Sequence, residues 1–313
     1  MVSALNRFED PKVFGKVAVV YGGHSSEREV SLWSGEAVLA ALKAQGIDAH
    51  GIDTAEVELL SHLVAESFDR VFIVLHGRGG EDGVLQGALE YLNIPYTGSG
   101  VLASSVGMDK LKSKQIWQAL GLPVLESYLL NSEEDVARLA PILKYPVAVK
   151  PAEEGSSIGV SRVESADDLL AAWKAAGGYN SPIFAENWIV GNGEYTCAIL
   201  NGTALPIIRM ETDLAFYDYE AKYLREDTRY FCPSGLSQAD EMRFRKLCEE
   251  AFHALGADGW GRVDFVLDRD NNSWLLEINT VPGMTNHSLV PLAANRAGIS
   301  FERLCWLILE GSL

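Results

Sequence analysis

The stretch 261–279, GRVDFVLDRDNNSWLLEIN, reads as two short strands, 262–267 and 274–279, joined by an Asp/Asn-rich turn over 268–273. Both strands alternate with period two. Centring the turn on Asp270-Asn271, residue types that tolerate positive φ, pairs Asp264 with Glu277 and Arg262 with Asn279. The opposite face then reads Val263, Phe265 and Leu267 against Trp274, Leu276 and Ile278, an apolar core face. Any even-length loop keeps this sorting, whereas an odd one would set Asp264 beside Ile278 and mix charge into the core. Two carboxylates directly opposed on a sheet repel, so the pair asks for a cation. Asp264, Glu277 and Asn279 offer hard oxygens with no His or Cys near, which suits Mg2+ or Mn2+ better than zinc. Mg2+ held by so few protein groups completes its shell with water and phosphate oxygens, so the face implies a nucleotide. A solvated polar sheet face is the bland alternative.

The rest of the chain fits an ordinary globular protein. At 313 residues and 48% hydrophobic content it has length for two or three domains. A formal charge of −17 disfavours nucleic acid or an anionic membrane as partner, because both need a basic footprint. A small anionic substrate fits if local lysines focus on it. The four cysteines, at 197, 232, 248 and 305, have no metal or redox spacing and read as buried free thiols of a reducing cytoplasm. The N-terminal MVSALNRFEDPK has no apolar leader, and no run approaches the roughly 20 apolar residues of a membrane span, so a soluble, unexported chain is expected.

Outward from the hairpin, VAVVYGG, a helix from about Ser26 to Gln45 closed by Gly46, AHGID and RVFIVLHG form a βαβ pattern and predict a parallel sheet. The glycine-dense GRGGEDGVLQG leads into a helix and the strand-like IPYTGSG. A helix over 109–120, stopped by Gly121 and Pro123, and the strand YPVAVKP open a second region with a helix over 165–176. The strands PIFAENWIV, EYTCAIL and TALPIIRM follow, the last two turned by Asn201-Gly202, and there the sheet is expected to become antiparallel. Residues 211–235 have no sustained period, as in a functional loop or lid, and a helix over 238–255 precedes the hairpin.

Other segments carry weaker signals. In YPVAVKPAEEGSSIGV, Lys150 ends a strand and Gly155, Ser156, Ser157 and Gly159 follow, so a flexible backbone could fold over phosphates beside a point charge. This is no Walker A loop, and a plain hairpin turn fits equally well. Lys110 stands in the first turn of its helix against the macrodipole, where a phosphate would compensate it and plain solvation is the simpler account. Glu186, Trp188, Ile189 and Glu194 suit an adenine and its ribose, or Trp188 is simply core. Gly22 to Glu27 turn a strand into a helix without GxGxxG, which disfavours a Rossmann dinucleotide site; Glu27 either favours the helix dipole or receives a ligand ammonium. Without GxSxG, HExxH or a Cys/His signature, covalent catalysis by the protein is not expected.

Taken in chain order, GGHSSEREVS, HGRGGEDGVLQG, the lysine of MDK, VKPAEEGSSIG, FYDYEAKY, GRVDF and LEINTVPGMT resemble the D-alanine:D-alanine ligases of the ATP-grasp superfamily, from Tyr21 to about Ala297. The resemblance implies an α/β fold, α+β in its C-terminal half, in three domains. These are an N-terminal parallel βαβ domain for substrate (1–98), a central ATP-grasp subdomain (99–185) and a C-terminal one carrying the metal hairpin (186–313). It implies ATP-dependent joining of two D-alanines through an acylphosphate for peptidoglycan, in a cytoplasmic homodimer.

By position, Asp264, Glu277 and Asn279 resemble metal ligands, Glu277 bridging two Mg2+ ions. Lys110, Lys150, Ser157 and Lys222 resemble phosphate contacts, and Glu186, Trp188, Ile189 and Glu194 those to adenosine. Glu27 would bind the first ammonium, hydrogen-bonded in a chain with Ser156 and Tyr223; Ser288 would receive the second carboxylate. Arg262 and the Gly283 N–H would stabilise the oxyanion, and His76 and Leu289 would border the substrate. A tyrosine at 223 favours the amide over the D-lactate ester. The visible departure is Asn187, where many relatives carry lysine. Two other readings are a different ATP-grasp carboxylate-amine ligase and a catalytically silent ATP-binding module; HGRGGEDG and Ser288-Leu289-Val290 argue against the first, Arg262 and the paired carboxylates against the second.

Overall fold

The apolar run Lys16–Tyr21 forms β1, buried along its centre, and lies between β2 (Asp48–Asp53) and β3 (Arg70–Ile73) in a parallel sheet of order β2-β1-β3. The computed structural model describes residues 8–155, 158–177, 181–211, 229–285 and 287–313. Ser156, Ser157, Lys222 and Tyr223, with most of the loop expected over 211–235, lie outside the described residues. The βαβ reading holds: α1 (Arg28–Ala44) joins β1 to β2. It is entered through Gly22 and Gly23, whose φ of 77° and 75° turn the chain sharply off the strand.

The stretch after β2 adds α2 (Leu59–Ala65), whose two turns are too short to establish a period in the sequence. Next come α3 (Val84–Leu92), α4 (Val101–Met108) and α5 (Lys110–Ala119). The strand expected in IPYTGSG shrinks to one bridge between Val71 and Tyr96. Asp109 separates α4 from α5: its extended backbone stops the first helix, and its carboxylate accepts the N–H groups of Leu111 and Lys112 at 2.9 and 3.1 Å, a cap worth about 1 kcal/mol. Lys110 is thereby fixed at the head of α5.

The antiparallel character begins earlier than the sequence suggests. β4 (Ser127–Leu129), β5 (Val147–Pro151), β6 (Ser161–Val163) and β7 (Ile183–Asn187) form an antiparallel sheet of order β4-β7-β5-β6. It shares a core with α6 (Glu133–Leu139) and α7 (Leu169–Ala176). The division expected at 185/186 falls inside β7, and the third sheet starts at β8 (Gly191–Leu200). There β9 (Thr203–Ala204) and β10 (Ile208–Glu211) are separate strands, because Pro206 between them has no N–H to give a ladder. Asn201 and Gly202 have φ of 50° and 73°, the positive values of the predicted hairpin turn. With β11 (Arg229–Phe231), β12 (Trp260–Asp268) and β13 (Ser273–Asn279) the order is β11-β10-β8-β12-β13, β9 lying beside β8.

The closing helix Phe301–Glu310 returns to the first sheet, where Trp306 meets Phe14 edge-on at 5.0 Å between ring centres. Arg70 clamps the join, donating to Phe14 O at 2.6 Å and Ser312 O at 2.8 Å. All four cysteines are free and buried, as expected. Among the described residues no helix is long and apolar enough to cross a membrane.

In the hairpin that decides the fold, Arg262 pairs with Asn279 and Asp264 with Glu277, as the alternation predicts. Toward the turn the register differs: Phe265 faces Leu275, Val266 faces Trp274 and Leu267 faces Ser273, the pairing of an odd loop. One extra residue, Leu276, forms a β-bulge that restores the even register at the acidic pair. The expected core face is therefore corrected at two positions. Leu275, at 0% exposure, packs inside in place of Leu276. Trp274 is only partly buried, its indole N–H donating to Asp268 Oδ2 at 3.3 Å.

Candidate active site

Leu276 and Glu277 both face a cavity of about 520 Å3 between the second and third sheets. Lys110, Lys150, Glu186, Trp188, Ile189, Glu194, Arg262, Asp264 and Leu289 line it too, so the structure gathers around one space the expected phosphate and adenosine residues that it describes and, of the three expected metal residues, Asp264 and Glu277. Asn187, the departure from the family pattern, is in its wall beside Trp188. The Arg162 guanidinium lies 5.3 Å from the Trp188 ring centre, a cation over an aromatic face at the same wall.

At the deep end, Asp264 is 8% exposed and fully engaged. Its Oδ1 accepts the Thr196 hydroxyl at 2.5 Å and Arg262 Nε at 2.9 Å; its Oδ2 accepts Arg262 Nη2 at 2.7 Å and Asn279 Nδ2 at 3.3 Å. Thr196 holds this place because β8 pairs with β12 and sets it opposite Asp264. Lys110 Nζ lies 3.1 Å from Glu277 Oε2 and donates to Glu154 O at 2.6 Å. The lysine at a helix head thus has the partner its position requires, a carboxylate of the hairpin. Arg262 and Lys110 meet the need for positive charge that the opposed acids create. The donor set of two carboxylates and one amide, all on one strand pair, fits a hard divalent cation sharing phosphate oxygens. Among the described residues no cluster of three His, Cys, Asp or Glu side chains forms a site by itself.

Glu186 is placed differently from a plain base contact. Its carboxylate, 2% exposed, lies 2.6 Å from Lys150 Nζ through Oε1 and 2.8 Å from Lys114 Nζ through Oε2. Burial would raise this carboxyl, but the two ammonium groups outweigh it and hold the group below the usual range. Lys114 was no candidate in the sequence, although its spacing of four from Lys110 on α5 puts both on one helix face.

A second cluster lies where the first sheet meets the loop after β13. His76 is fully buried, which pushes its imidazole pKa down; Glu27 nearby pulls the other way. Its Nδ1 lies 2.8 Å from Val281 O, so that nitrogen carries the proton and donates. Its Nε2, 3.4 Å from Ser34 Oγ, then accepts from the hydroxyl, and Ser34 in turn accepts the Met284 N–H at 3.0 Å. Glu27, 9% exposed, approaches the backbone so closely that a Cβ on Gly155 would stand 3.0 Å from its Oε2. Ser288 Oγ accepts the Thr285 N–H at 2.9 Å, and a Cβ on Gly283 would come within 2.9 Å of that oxygen. Glu27, His76, Gly283 and Ser288 are thus near this junction and outside the cavity wall, as is Asn279, which reaches it only through Asp264. Ser34 and Glu81 belong here as well; the serines of REVSLWSG, spaced by three on a helix, were the signal for the first.

Comparison with known proteins agrees with this geometry. The family described as D-ala D-ala ligase C-terminus matches residues 116–310, and that described as D-ala D-ala ligase N-terminus matches 54–99. A D-alanine–D-alanine ligase of Stutzerimonas stutzeri is 54% identical over 310 residues, 99% of this chain and 98% of that protein. One of Methylococcus capsulatus is 54% identical over 306 residues, 98% of each. Among solved structures, the Bacillus anthracis D-alanine–D-alanine ligase complexed with ATP superposes with a TM-score of 0.80 at 31% identity, covering 95% of this chain and 97% of that one. The VanG D-Ala:D-Ser ligase of Enterococcus faecalis gives 0.81 at 29% identity, covering 95% and 98%. The chain belongs to the D-alanine–D-alanine ligase family.

Proposed function

We propose that this protein joins two D-alanine molecules into D-Ala-D-Ala at the expense of ATP, supplying a peptidoglycan precursor. The observation that carries the reading is the single cavity wall that unites Lys110, Lys150, Arg262, Asp264 and Glu277 in a chain 54% identical to named ligases over nearly its whole length. Lys110 and Lys150 take phosphate oxygens, exchanging Glu277 and Glu186 as partners. The wall from Glu186 to Ile189, with Glu194, receives adenosine. Asp264, Glu277 and Asn279 would hold two Mg2+ ions, which Mn2+ could replace and which neutralise the phosphates when bound.

Glu27 orients the first amino acid through its ammonium. That amino acid's carboxylate oxygen bonds to the γ-phosphorus as the bond to ADP breaks. The second amine attacks the resulting acyl carbon and phosphate leaves. Arg262 and the Gly283 N–H face the oxyanion of that step, Ser288 receives the second carboxylate, and His76 and Leu289 border the amino acids. Ser156, Ser157, Lys222 and Tyr223 keep the roles their motifs suggest. The three units expected from the sequence, a cytoplasmic place of action and a homodimer belong to the same reading.

Phosphate release with ATP and Mg2+ tests it, comparing D-alanine with D-serine, D-lactate and L-alanine. Release with D-alanine and a D-Ala-D-Ala product are expected. A mixed product with D-serine would favour the specificity named for the Enterococcus relative, and no release with any amino acid would refute the ligase reading.

A further inference from the structure

Lys114 has no part in the chemistry just described, yet it is 3% exposed against 9% for Lys150. One turn beyond Lys110 on α5, it lies on the same face but deeper. Its Nζ donates to Leu275 O at 3.0 Å and lies 2.8 Å from Glu186 Oε2. Burying an ammonium is costly, and a methionine would fill the same volume without that cost, so the charge itself needs an account. Glu186 supplies one. Its other oxygen is 2.6 Å from Lys150, so one buried carboxylate is shared by two lysines. Lys150, unlike Lys114, reaches the cavity wall.

We propose that Lys114 is a positioning residue for nucleotide binding: it is the standing counter-ion of Glu186, and it frees Lys150 to leave that carboxylate for a phosphate. With Lys114 present, Glu186 stays paired when Lys150 moves. Without it, the departure of Lys150 would strand a buried carboxylate among the described residues, so Lys150 stays trapped and ATP binds poorly. The Leu275 carbonyl holds Lys114 in place when its carboxylate partner relaxes. The proposal rests on the reading of Lys150 as a phosphate ligand.

The test uses the full-length enzyme, with steady-state phosphate release and calorimetric ATP binding in the absence of D-alanine. Lys114→Met is expected to raise KM and Kd for ATP by about tenfold or more, with kcat and KM for D-alanine at saturating ATP within about twofold of wild type. Glu186→Gln removes the trapping charge, at whatever cost to adenosine binding, and in that background adding Lys114→Met is expected to change KM for ATP by less than about twofold. An unchanged KM for ATP in Lys114→Met, or a Lys114→Met effect as large in the Glu186→Gln background as in the wild type, overturns the proposal. If Lys114→Met does not fold alone, Glu186→Gln and the double variant decide between them: equal KM values for ATP support the trap, and a double variant about tenfold worse than Glu186→Gln sinks it. Failure of the wild type itself to bind ATP would instead overturn the functional reading.

Discussion

Glu81 Oε1 accepts the backbone N–H of Val281 at 3.0 Å across 200 positions of sequence, while its Oε2 accepts the Gly77 N–H at 2.8 Å. This carboxyl bolts the loop after β3 to the loop after β13, on either side of the amino-acid end proposed for the site. Burial, with Glu27 adding repulsion, pushes its pKa up to about 8. An acid raised in the folded state is protonated there at pH values where the unfolded chain has lost its proton. Its contribution is therefore full below about 4.5 and is lost as pH rises through about 8. Thermal melts should show Tm declining over that window, with a shallower decline in Glu81→Gln. Parallel profiles would show that Glu81 does not govern the slope. The glutamine amide also meets an N–H it cannot accept, so a uniform loss of stability of about 1–3 kcal/mol is expected beside the change in slope.

Glu277→Gln keeps the shape of the hairpin and removes the charge that faces Lys110 at 3.1 Å. Phosphate release should fall by roughly 100-fold, and the Mg2+ concentration for half-maximal rate should rise by about 10- to 100-fold. A Mg2+ titration with near-normal turnover would remove Glu277 from the metal set.

Ser34→Ala deletes the hydroxyl between His76 Nε2 and the Met284 N–H. A buried donor and a buried acceptor lose their partner, at a cost of about 1–3 kcal/mol in stability. Because these groups flank the proposed amino-acid end, KM for D-alanine is expected to rise severalfold with KM for ATP little changed. Denaturant unfolding and two-substrate kinetics check the two halves separately, and an equal rise in both KM values would refute the local role.

Charge was easier to read from the sequence than register. Asp264, Glu277, Arg262 and Asn279 share a face because alternation in a strand is a strict geometric rule. The bulge is hidden by composition: residues 275 and 276 are both leucine, so the pattern cannot tell which of the two turns inward. Lys114 and Thr196 are silent in the sequence because their meaning lies in partners on other elements, Glu186 and Asp264. Glu81 stands within the HGRGGEDG motif, but its partner is a main-chain N–H, which any residue other than proline could supply.

The bulge at Leu276 also fixes what kind of change the hairpin can survive. A regular strand would send neighbouring residues to opposite sides, whereas here a leucine and a carboxylate stand consecutively on the cavity side. Exchanging Leu276 for another apolar residue leaves that arrangement intact. Deleting it would leave Phe265 opposite Leu275 and Asp264 opposite Glu277 in an unbroken ladder, so what is lost is an apolar side chain on the cavity wall and not the sorting of charge from core. The extra leucine thus serves the cavity and not the strand order, and the hairpin can lose or gain it without exchanging its two faces.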